Sequence, residues 1–342
     1  MLGTTQYCNT QIDLSDGYID RQKIRDLTRQ VNNMYRTESR SELLRETVRD
    51  SIAKLHPIEI RHRGVYGTYD PSAEGKSLVV ALGDFHYGAE IHVAGLRGEV
   101  INHYDHHVFE ERMIRLEEEL VQIAKKEQVS DLHIFLVGDL IDGMLRQSQL
   151  MRLEYGMVES TIRLSEWLAW WIAQLACETN KQIHIYAATG NHSEIRPLRS
   201  KNREFEEENL EKIIVWFLEE RLREYDNIEF HGECQKMVLA DIQGYSFLLL
   251  HGDGEKSISQ IAQDAVNMYA EPIDFFICGH KHKEQEIPMG ITDDGNSVII
   301  RTPSICGVDR YAQSRGFGGK SGAIAMVIEQ EYGRRCVYPI QL

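Results

Sequence analysis

From Ser77 onward, short apolar runs alternate with longer segments in which apolar residues recur at helical spacing. Five runs read as buried strands that end in glycine or a polar turn: SLVVALGD, LHIFLVGD, IHIYAATGN, FLLLHGD and DFFICGH. Apolar residues recur every three or four positions over 109–123, which predicts a helix between the first two strands. Further helices are predicted at 158–177, 204–225 and 258–268. Because mostly strand patterns follow Gly279, we expect an α/β core with mixed sheets and helices outside.

The first 63 residues have a helical pattern of apolar positions. Apolar residues recur at helical spacing in two stretches, which predicts a helical N-terminal extension over 1–63: Ile24, Leu27, Val31 and Met34, then Leu44, Val48, Ile52 and Leu55. A linker rich in Gly, Ser, Pro and Tyr is predicted at 64–76, and the main domain at 77–342. The extension is either a helical pair packed on the main domain or an arm that binds a protein partner, a second copy of the chain or nucleic acid.

Composition narrows the class of protein. The chain has 342 residues, 42% hydrophobic and 27% charged, and no run approaches the roughly 18 apolar residues of a membrane span. The N-terminus lacks the basic and apolar regions of a secretory signal, and the six cysteines are scattered without a CxxC pair. We therefore expect a cytoplasmic protein with reduced thiols and no membrane partner. The net charge of −15 argues against broad, nonspecific attraction to nucleic acid.

Polar side chains follow each of the five predicted strands. They are Asp84 and His86, Asp139 and Asp142, Asn191 and His192, His251, and His280 and His282. Open α/β sheets bind ligands beyond the carboxyl ends of their strands, so these groups are expected to converge. Carboxylate and imidazole without thiolate suit borderline divalent ions such as Mn, Fe, Zn or Ni. One such motif alone is more often a turn or a core histidine, whereas five in succession indicate a metal site, and a dinuclear one would need a bridging carboxylate.

These blocks resemble the calcineurin-like metallophosphoesterase family. In order they are Asp-x-His, Gly-Asp-x-x-Asp, Gly-Asn-His, His-Gly and Gly-His-x-His, spread over 77–342. In its length and inserts the chain is closest in character to the double-strand-break-repair, exonuclease-like members carried by phages. The resemblance implies a two-layer β-sandwich of mixed sheets flanked by helices.

The resemblance also implies roles for individual residues. One metal would be held by Asp84, His86 and His282, and the other by Asn191, His251 and His280. Asp139 would bridge the two metals. His192 would contact the substrate phosphate and protonate or stabilise the leaving group, with Asp142 behind it to orient His192 or a ligand.

The sequence departs from the family pattern at one position. Ser193 stands where an acidic residue usually follows Gly-Asn-His, and Glu194 comes one step later. Either Glu194 or Asp142 substitutes for that acid, or the pKa of His192 is set in a different way.

Basic residues that follow the motifs bear on the substrate. Arg146, Arg196, Arg310 and Arg315 are candidates to bind a phosphate backbone, with Phe317 able to stack a base; the alternative is a solvated loop with ordinary charges. His103, His106 and His107 either line the cleft or belong to an exposed loop. The sequence thus favours a phosphodiesterase or nuclease that acts on DNA or RNA through metal-activated water. It would use two divalent ions, Mn²⁺ foremost and Fe, Zn, Ni or Mg as alternatives. A phosphomonoesterase acting on a phosphoprotein or nucleotide is the alternative, and a scaffold without catalysis is a third.

Overall fold

The computed structural model describes residues 46–60, 75–143, 152–195, 207–254, 257–292, 295–316 and 318–342. The chain divides into a unit that spans Met1–His56 and a unit that spans Pro57–Leu342. In the first unit, residues 46–52 are helical. The predicted boundaries of the extension and the linker stay predictions, because residues 1–45 and 61–74 lie outside the described residues.

The larger unit contains a six-stranded mixed sheet in the order β13-β12-β1-β4-β5-β6. Its strands are β1 (Lys76–Leu82), β4 (Asp131–Leu136), β5 (Gln182–Ala187), β6 (Ile228–Phe230), β12 (Gly322–Glu329) and β13 (Gly333–Gln341). Strands β1, β4, β5 and β6 run parallel, whereas β12 pairs antiparallel with both of its neighbours. The carboxyl ends of β1, β4 and β5 therefore meet at one edge of the sheet.

A second mixed sheet has five strands in the order β10-β11-β9-β8-β7. They are β7 (Met237–Ile242), β8 (Tyr245–Leu250), β9 (Phe275–Cys278), β10 (Gln285–Thr292) and β11 (Gly295–Arg301). Strands β8, β9 and β11 are parallel to one another. A separate hairpin is formed by β2 (Ile91–Ala94) and β3 (Val100–Tyr104).

Two sheets and their helices bury three apolar layers. The helices are α1 (His106–Glu127), α2 (Met157–Thr179), α3 (Glu211–Leu222), α4 (Ile258–Tyr269) and α5 (Arg310–Arg315). The inner faces of the sheets meet through side chains such as Phe135, Phe247 and Met326. Helices α1, α2 and α3 cover the outer face of the six-stranded sheet, and α4 covers the other sheet. The predicted two-layer sandwich of mixed sheets flanked by helices is confirmed.

Local sequence explains most element boundaries. Alternating β4 residues divide between the helix-facing and the inter-sheet layers, because successive side chains in a strand point to opposite faces. Helix α3 begins at Glu211, later than the predicted 204–225. The Asn209 side chain accepts a hydrogen bond from the Glu211 backbone N–H, at 2.9 Å, just before the helix. Among the described residues, no helix is long and apolar enough to cross a membrane.

Candidate metal centre

Five of the seven predicted ligands adopt left-handed backbone conformations. They are Asp84 (φ 52°), His86 (46°), Asp139 (55°), His280 (71°) and His282 (50°), among nine non-glycine residues with positive φ in the described chain. A side chain in this region costs about 1–3 kcal/mol, so it persists only where the surroundings enforce it. Here the strand ends enforce it: Asp84 N–H donates to the Gly138 carbonyl at 3.0 Å, and His86 N–H to the Asp139 carbonyl at 2.9 Å. Such a concentration of strain marks a functional site.

The first predicted ligand group is compact. His86 Nε2 lies 3.2 Å from His282 Nε2, and Asp84 Oδ1 lies 3.6 Å from His282 Nε2 and 3.9 Å from His86 Nε2. His282 Nδ1 donates to the Gly307 carbonyl at 3.0 Å, so Nε2 presents its lone pair to the group. Asp84 Oδ2 accepts the His280 N–H at 2.8 Å, which turns Oδ1 inward. The three inward atoms can coordinate a single cation.

The second group contains Asp139, His251 and His280, whose potential ligand atoms lie within 4.8 Å of one another. His251 Nδ1 donates to the Val137 carbonyl at 2.8 Å, and Nε2 faces Asp139 Oδ2 at 2.8 Å and His280 Nδ1 at 3.2 Å. Asn191 follows β5 beside this group. The structure thus brings together all of the strand ends from which ligands were predicted.

His192 stands beside both groups. Its Nδ1 donates to Asp142 Oδ1 at 2.6 Å, and its backbone N–H donates to Asp139 Oδ1 at 2.8 Å. Its ring meets the His86 ring edge-on, with centroids 4.3 Å apart. The side chain is 18% exposed, so its Nε2 is the nitrogen that can face a substrate. Asp142 also lies 3.4 Å from His86 Nδ1, and it therefore orients both imidazoles.

A buried carboxylate that the sequence did not single out holds the loops together. Glu211, at the start of α3, accepts hydrogen bonds from Leu140 N–H at 2.7 Å and from Gly190 N–H at 2.6 Å. Ser193 Oγ donates to it at 2.8 Å. Ser193 therefore donates to Glu211, and Asp142 is the acid bonded to the His192 ring. Nothing separates Glu211 from the other acids of 204–225 in the sequence, because its role depends on a tertiary contact.

In the metal centre, burial and neighbouring groups shift the pKa values of His86, His251 and Asp142 in opposite directions. Burial lowers the pKa of His86, but the Asp142 hydrogen bond and the surrounding carboxylates raise it to about 9. Burial likewise lowers the pKa of His251, whereas Asp139 raises it well above its usual range. Burial raises the pKa of Asp142, but hydrogen bonds from His192 and His86 lower it overall. The carboxylates therefore create a site that favours positive charge.

Two buried oxygens have the environment expected of metal ligands. Asp84 Oδ1 and Asn191 Oδ1 are buried and accept no hydrogen bond among the described residues. An unsatisfied buried oxygen is costly unless something binds it. Carboxylate, amide and imidazole donors suit a borderline divalent ion. Cys306 Sγ lies 3.8 Å from His282 Nδ1, the nitrogen that donates to the Gly307 carbonyl, so we assign it no ligand role.

The predicted substrate residues fall into two sets. Arg146 and Arg196 lie outside the described residues, as does Phe317. Arg310 and Arg315 are exposed on α5, which begins three residues after Gly307. Arg310 Nε donates to the His92 carbonyl of β2 at 3.3 Å, so α5 contacts the β2–β3 hairpin. We call the surface formed by α5 and this hairpin the rim.

The three remaining predicted histidines belong to this hairpin and to the start of α1. His103 lies on β3 with its Nδ1 3.1 Å from His92 Nδ1, which places it in a strand and not in the exposed loop considered above. His106 and His107 begin α1, and His106 pairs with Glu154.

A mainly apolar pocket opens beside His251. It has a volume of about 240 Å³, and Lys236, Met237, Ile261 and Met268 contribute to its lining. Asp253 and Gly252 connect it to the ligand loop.

Comparison with known proteins places the chain in a family. The family model described as calcineurin-like phosphoesterase matches residues 77–284. The chain is 26% identical over 321 residues to an SPbeta prophage-derived uncharacterized protein, YonJ, of Bacillus subtilis (strain 168), covering 93% of this chain and 76% of that protein.

Solved structures that resemble the chain include an archaeal phosphodiesterase, 12% identical, with a TM-score of 0.35 and coverage of 78% of this chain and 99% of that one. Vacuolar protein sorting 29 from Cryptosporidium parvum is 11% identical, with a TM-score of 0.35 and coverage of 79% and 100%. With a family match that spans well over half of its length, this chain belongs to the calcineurin-like phosphoesterase family.

Proposed function

We propose that the protein is a two-metal phosphodiesterase that cleaves DNA or RNA. Family membership fits a metal-dependent phosphoester hydrolase. Beyond the family, we propose the substrate class and the number of metal ions. The observation that carries the proposal is the pair of buried, unsatisfied oxygens of Asp84 and Asn191 beside two sets of inward-facing imidazoles.

In this proposal Asp84, His86 and His282 hold one cation, and Asn191, His251 and His280 hold the other. Asp139 lies between the two sets and would bridge them. Two bound divalent cations neutralise phosphate oxygens and lower the pKa of a water that attacks phosphorus. Mn²⁺ is the first ion to test, followed by Fe, Zn, Ni and Mg.

The protein's own groups would handle the leaving alkoxide. His192 can donate a proton from Nε2, because Asp142 holds Nδ1 and stabilises the protonated ring. The Asp139 carboxylate accepts a hydrogen bond from the His192 backbone N–H, which holds this residue beside the metal centre. Asp142 thus acts through His192 as a positioning residue.

An open rim supports a diester substrate. A diester chain continues on both sides of the phosphorus, so its site needs contacts away from the metals. The rim of α5 and the β2–β3 hairpin offers exposed Arg310, Arg315 and Tyr311, and the pocket beside His251 offers apolar surface. Arginine and aromatic side chains are typical contacts to backbone phosphates and unstacked bases. The relative in Bacillus subtilis is prophage-derived, which is compatible with the hypothesis of a phage-type nuclease.

The test is hydrolysis, with Mn²⁺, of single- and double-stranded oligonucleotides, a model diester and a model monoester. We expect oligonucleotides and the diester to be cleaved faster than the monoester. Much faster cleavage of the monoester would instead support the phosphomonoesterase alternative. The His192→Ala variant, assayed in parallel, separates turnover by this site from a contaminating activity.

A further inference from the structure

A second group of histidines lies at the other end of the sheet from the metal centre. His184 is near the start of β5, and Glu229 and His231 lie in and just after β6. Behind them, Asp131 and His133 begin β4. We call these five residues the histidine cluster. Asp139 is six positions after His133 along the chain, so at about 3.3 Å per residue the two residues are at most about 20 Å apart.

Three atoms of the cluster converge on one point. His184 Nδ1 lies 2.8 Å from His231 Nε2 and 3.5 Å from Glu229 Oε2, and His231 Nε2 lies 3.8 Å from Glu229 Oε2. Bonds of 2.0–2.1 Å in a tetrahedral zinc site put neighbouring ligand atoms about 3.3 Å apart. The three distances lie on both sides of this value, so small rotations of the side chains would complete three corners of such a site.

The rings are held in place by stacking. Tyr186 stacks on the His231 ring, with centroids 4.6 Å apart and planes 11° apart. His133 stacks on the His184 ring, with centroids 4.6 Å apart and planes 18° apart. These contacts limit ring rotation and so lower the ordering cost of binding an ion.

The buried part of the cluster is short of partners. His133 is only 6% exposed, and its Nδ1 accepts or donates no hydrogen bond among the described residues. Asp131 Oδ1 lies 3.3 Å from His133 Nε2 without the geometry of a hydrogen bond, and Asp131 Oδ2 accepts one from Ser130 Oγ at 3.1 Å. Potential ligand atoms of Asp131, His133 and His184 lie within 4.8 Å of one another, so His184 belongs to both halves of the cluster.

The protonation state of the rings suits a metal. Burial is the main reason that the pKa of His184 falls to about 4, and burial also lowers the pKa of His231. Both rings are therefore neutral near pH 7, which is the form that coordinates metals. Glu229 has a 55% exposed side chain, which leaves a path from solvent to the three atoms.

We propose that His184 Nδ1, Glu229 Oε2 and His231 Nε2 form a binding site for one divalent cation, for which Zn²⁺ is the best match. Two imidazoles and one carboxylate are a known zinc ligand set that leaves a fourth position for water. The ion would join the three-residue edge strand β6 to β5. This site does not depend on the phosphodiesterase proposal, since none of its residues belongs to the metal centre.

The experiment is Zn²⁺ binding by the full chain, measured by competition with a chromophoric chelator after metal removal. Glu229→Gln and His231→Gln are compared with the wild type, and His56→Gln, which removes an exposed imidazole elsewhere, is the matched control. We expect both cluster variants to bind one equivalent fewer than the wild type, or to bind that equivalent at least about tenfold more weakly. The control should match the wild type.

Mn²⁺-dependent hydrolysis by the same variants distinguishes the two sites. Activity should be unchanged in both cluster variants, because the cluster lies at the opposite end of the strands. Unchanged zinc stoichiometry and affinity in Glu229→Gln would overturn the site and leave a hydrogen-bonded histidine pair. Because Glu229 is largely exposed, this variant decides the question even if His231→Gln fails to fold.

Discussion

At the scale of single residues, the proposal assigns cation binding to one set of groups and proton transfer to another, His192. His192 is next to the predicted ligand Asn191, but its Nδ1 is bound to Asp142 and its backbone to Asp139. Its ring is therefore held in place by Asp142, and in our proposal it is not one of the metal ligands. This arrangement makes binding and turnover separable by mutation.

We expect His192→Ala to retain the metals and to lose at least about 10²-fold in rate, the usual contribution of a positioned acid. Metal content and hydrolysis of a model diester, measured on one preparation, check this. Asp142→Asn should also lower the rate, but less, because the ring remains. A fully active His192→Ala variant would remove this histidine from the mechanism.

Glu211 acts at the same scale through the backbone. In the wild type, the Glu211 carboxylate accepts from the backbone N–H groups of Leu140 and Gly190. In Glu211→Gln, the side-chain NH₂ group would face one of these donors, and two donors would oppose each other. We expect a loss of about 1–3 kcal/mol in the free energy of unfolding, measured with urea. Metal affinity should fall about 10–100-fold, because both ligand loops are released.

Glu219→Gln is the matched control for this prediction, since Glu219 is exposed on the same helix. It should change neither quantity. Equal effects of the two substitutions would show that Glu211 does not organise the loops.

At the scale of elements, the ends of β1, β4 and β5 must approach closely for their loops to share ligands. Gly190 makes this possible: a Cβ at this position would lie 2.1 Å from the Asp139 backbone N and 2.3 Å from Asp139 Oδ1. Gly143 has a similar role, because a Cβ there would lie 1.6 Å from the His192 carbonyl oxygen. Neither neighbour can move without displacing the predicted ligand Asp139 or the predicted catalytic residue His192.

Gly190→Ala should therefore weaken metal binding and lower the free energy of unfolding by about 1–3 kcal/mol, through overpacking. Gly290→Ala is the control, because a Cβ there meets nothing within 4 Å. Thermal unfolding and metal titration of both variants test this. If Gly190→Ala binds metal as tightly as Gly290→Ala, the loops are not as closely packed as described.

Much of the arrangement of strands and of the loops that follow them was predictable from the sequence, for a physical reason. Buried parallel strands read as continuous apolar runs, so the predicted ligands that follow them, such as Asp84 after β1 and His280 after β9, could be placed beyond the carboxyl ends of the strands. Strand β3 was not predicted, because a short, half-exposed strand such as INHY carries little hydrophobic signal. Glu211 was missed because a long-range contact, not local pattern, decides its role, and the same holds for His184 and His231.

At the scale of the whole molecule, the net charge of −15 opposes nucleic-acid binding, so attraction has to be local. Arg310 and Arg315 on α5 are the described basic residues proposed to supply it. We expect Arg310→Ala/Arg315→Ala to weaken oligonucleotide binding and to flatten its salt dependence by about one unit per lost phosphate contact. Hydrolysis of a small diester, which needs only the metal centre, should change little.

The control is Arg115→Ala/Arg335→Ala, which removes two exposed charges from α1 and β13. Arg335 lies over the Tyr332 ring much as Arg315 lies over Tyr311, so charge and stacking are matched. Equal loss of binding in both double variants would mean that the rim has no special role.

The most direct test of the whole account is the number of Mn²⁺ ions bound per chain in the wild type and in Asp139→Asn. Asp139 lies in the second group, touches His251, and lies 4.0 Å from His86 of the first. If its carboxylate bridges two cations, the wild type binds two Mn²⁺ at the centre, and the substitution loses both because it removes their shared charge. Full Mn²⁺ occupancy in Asp139→Asn would contradict the bridging role of Asp139, and a wild type that binds a single Mn²⁺ would contradict the two-metal centre itself.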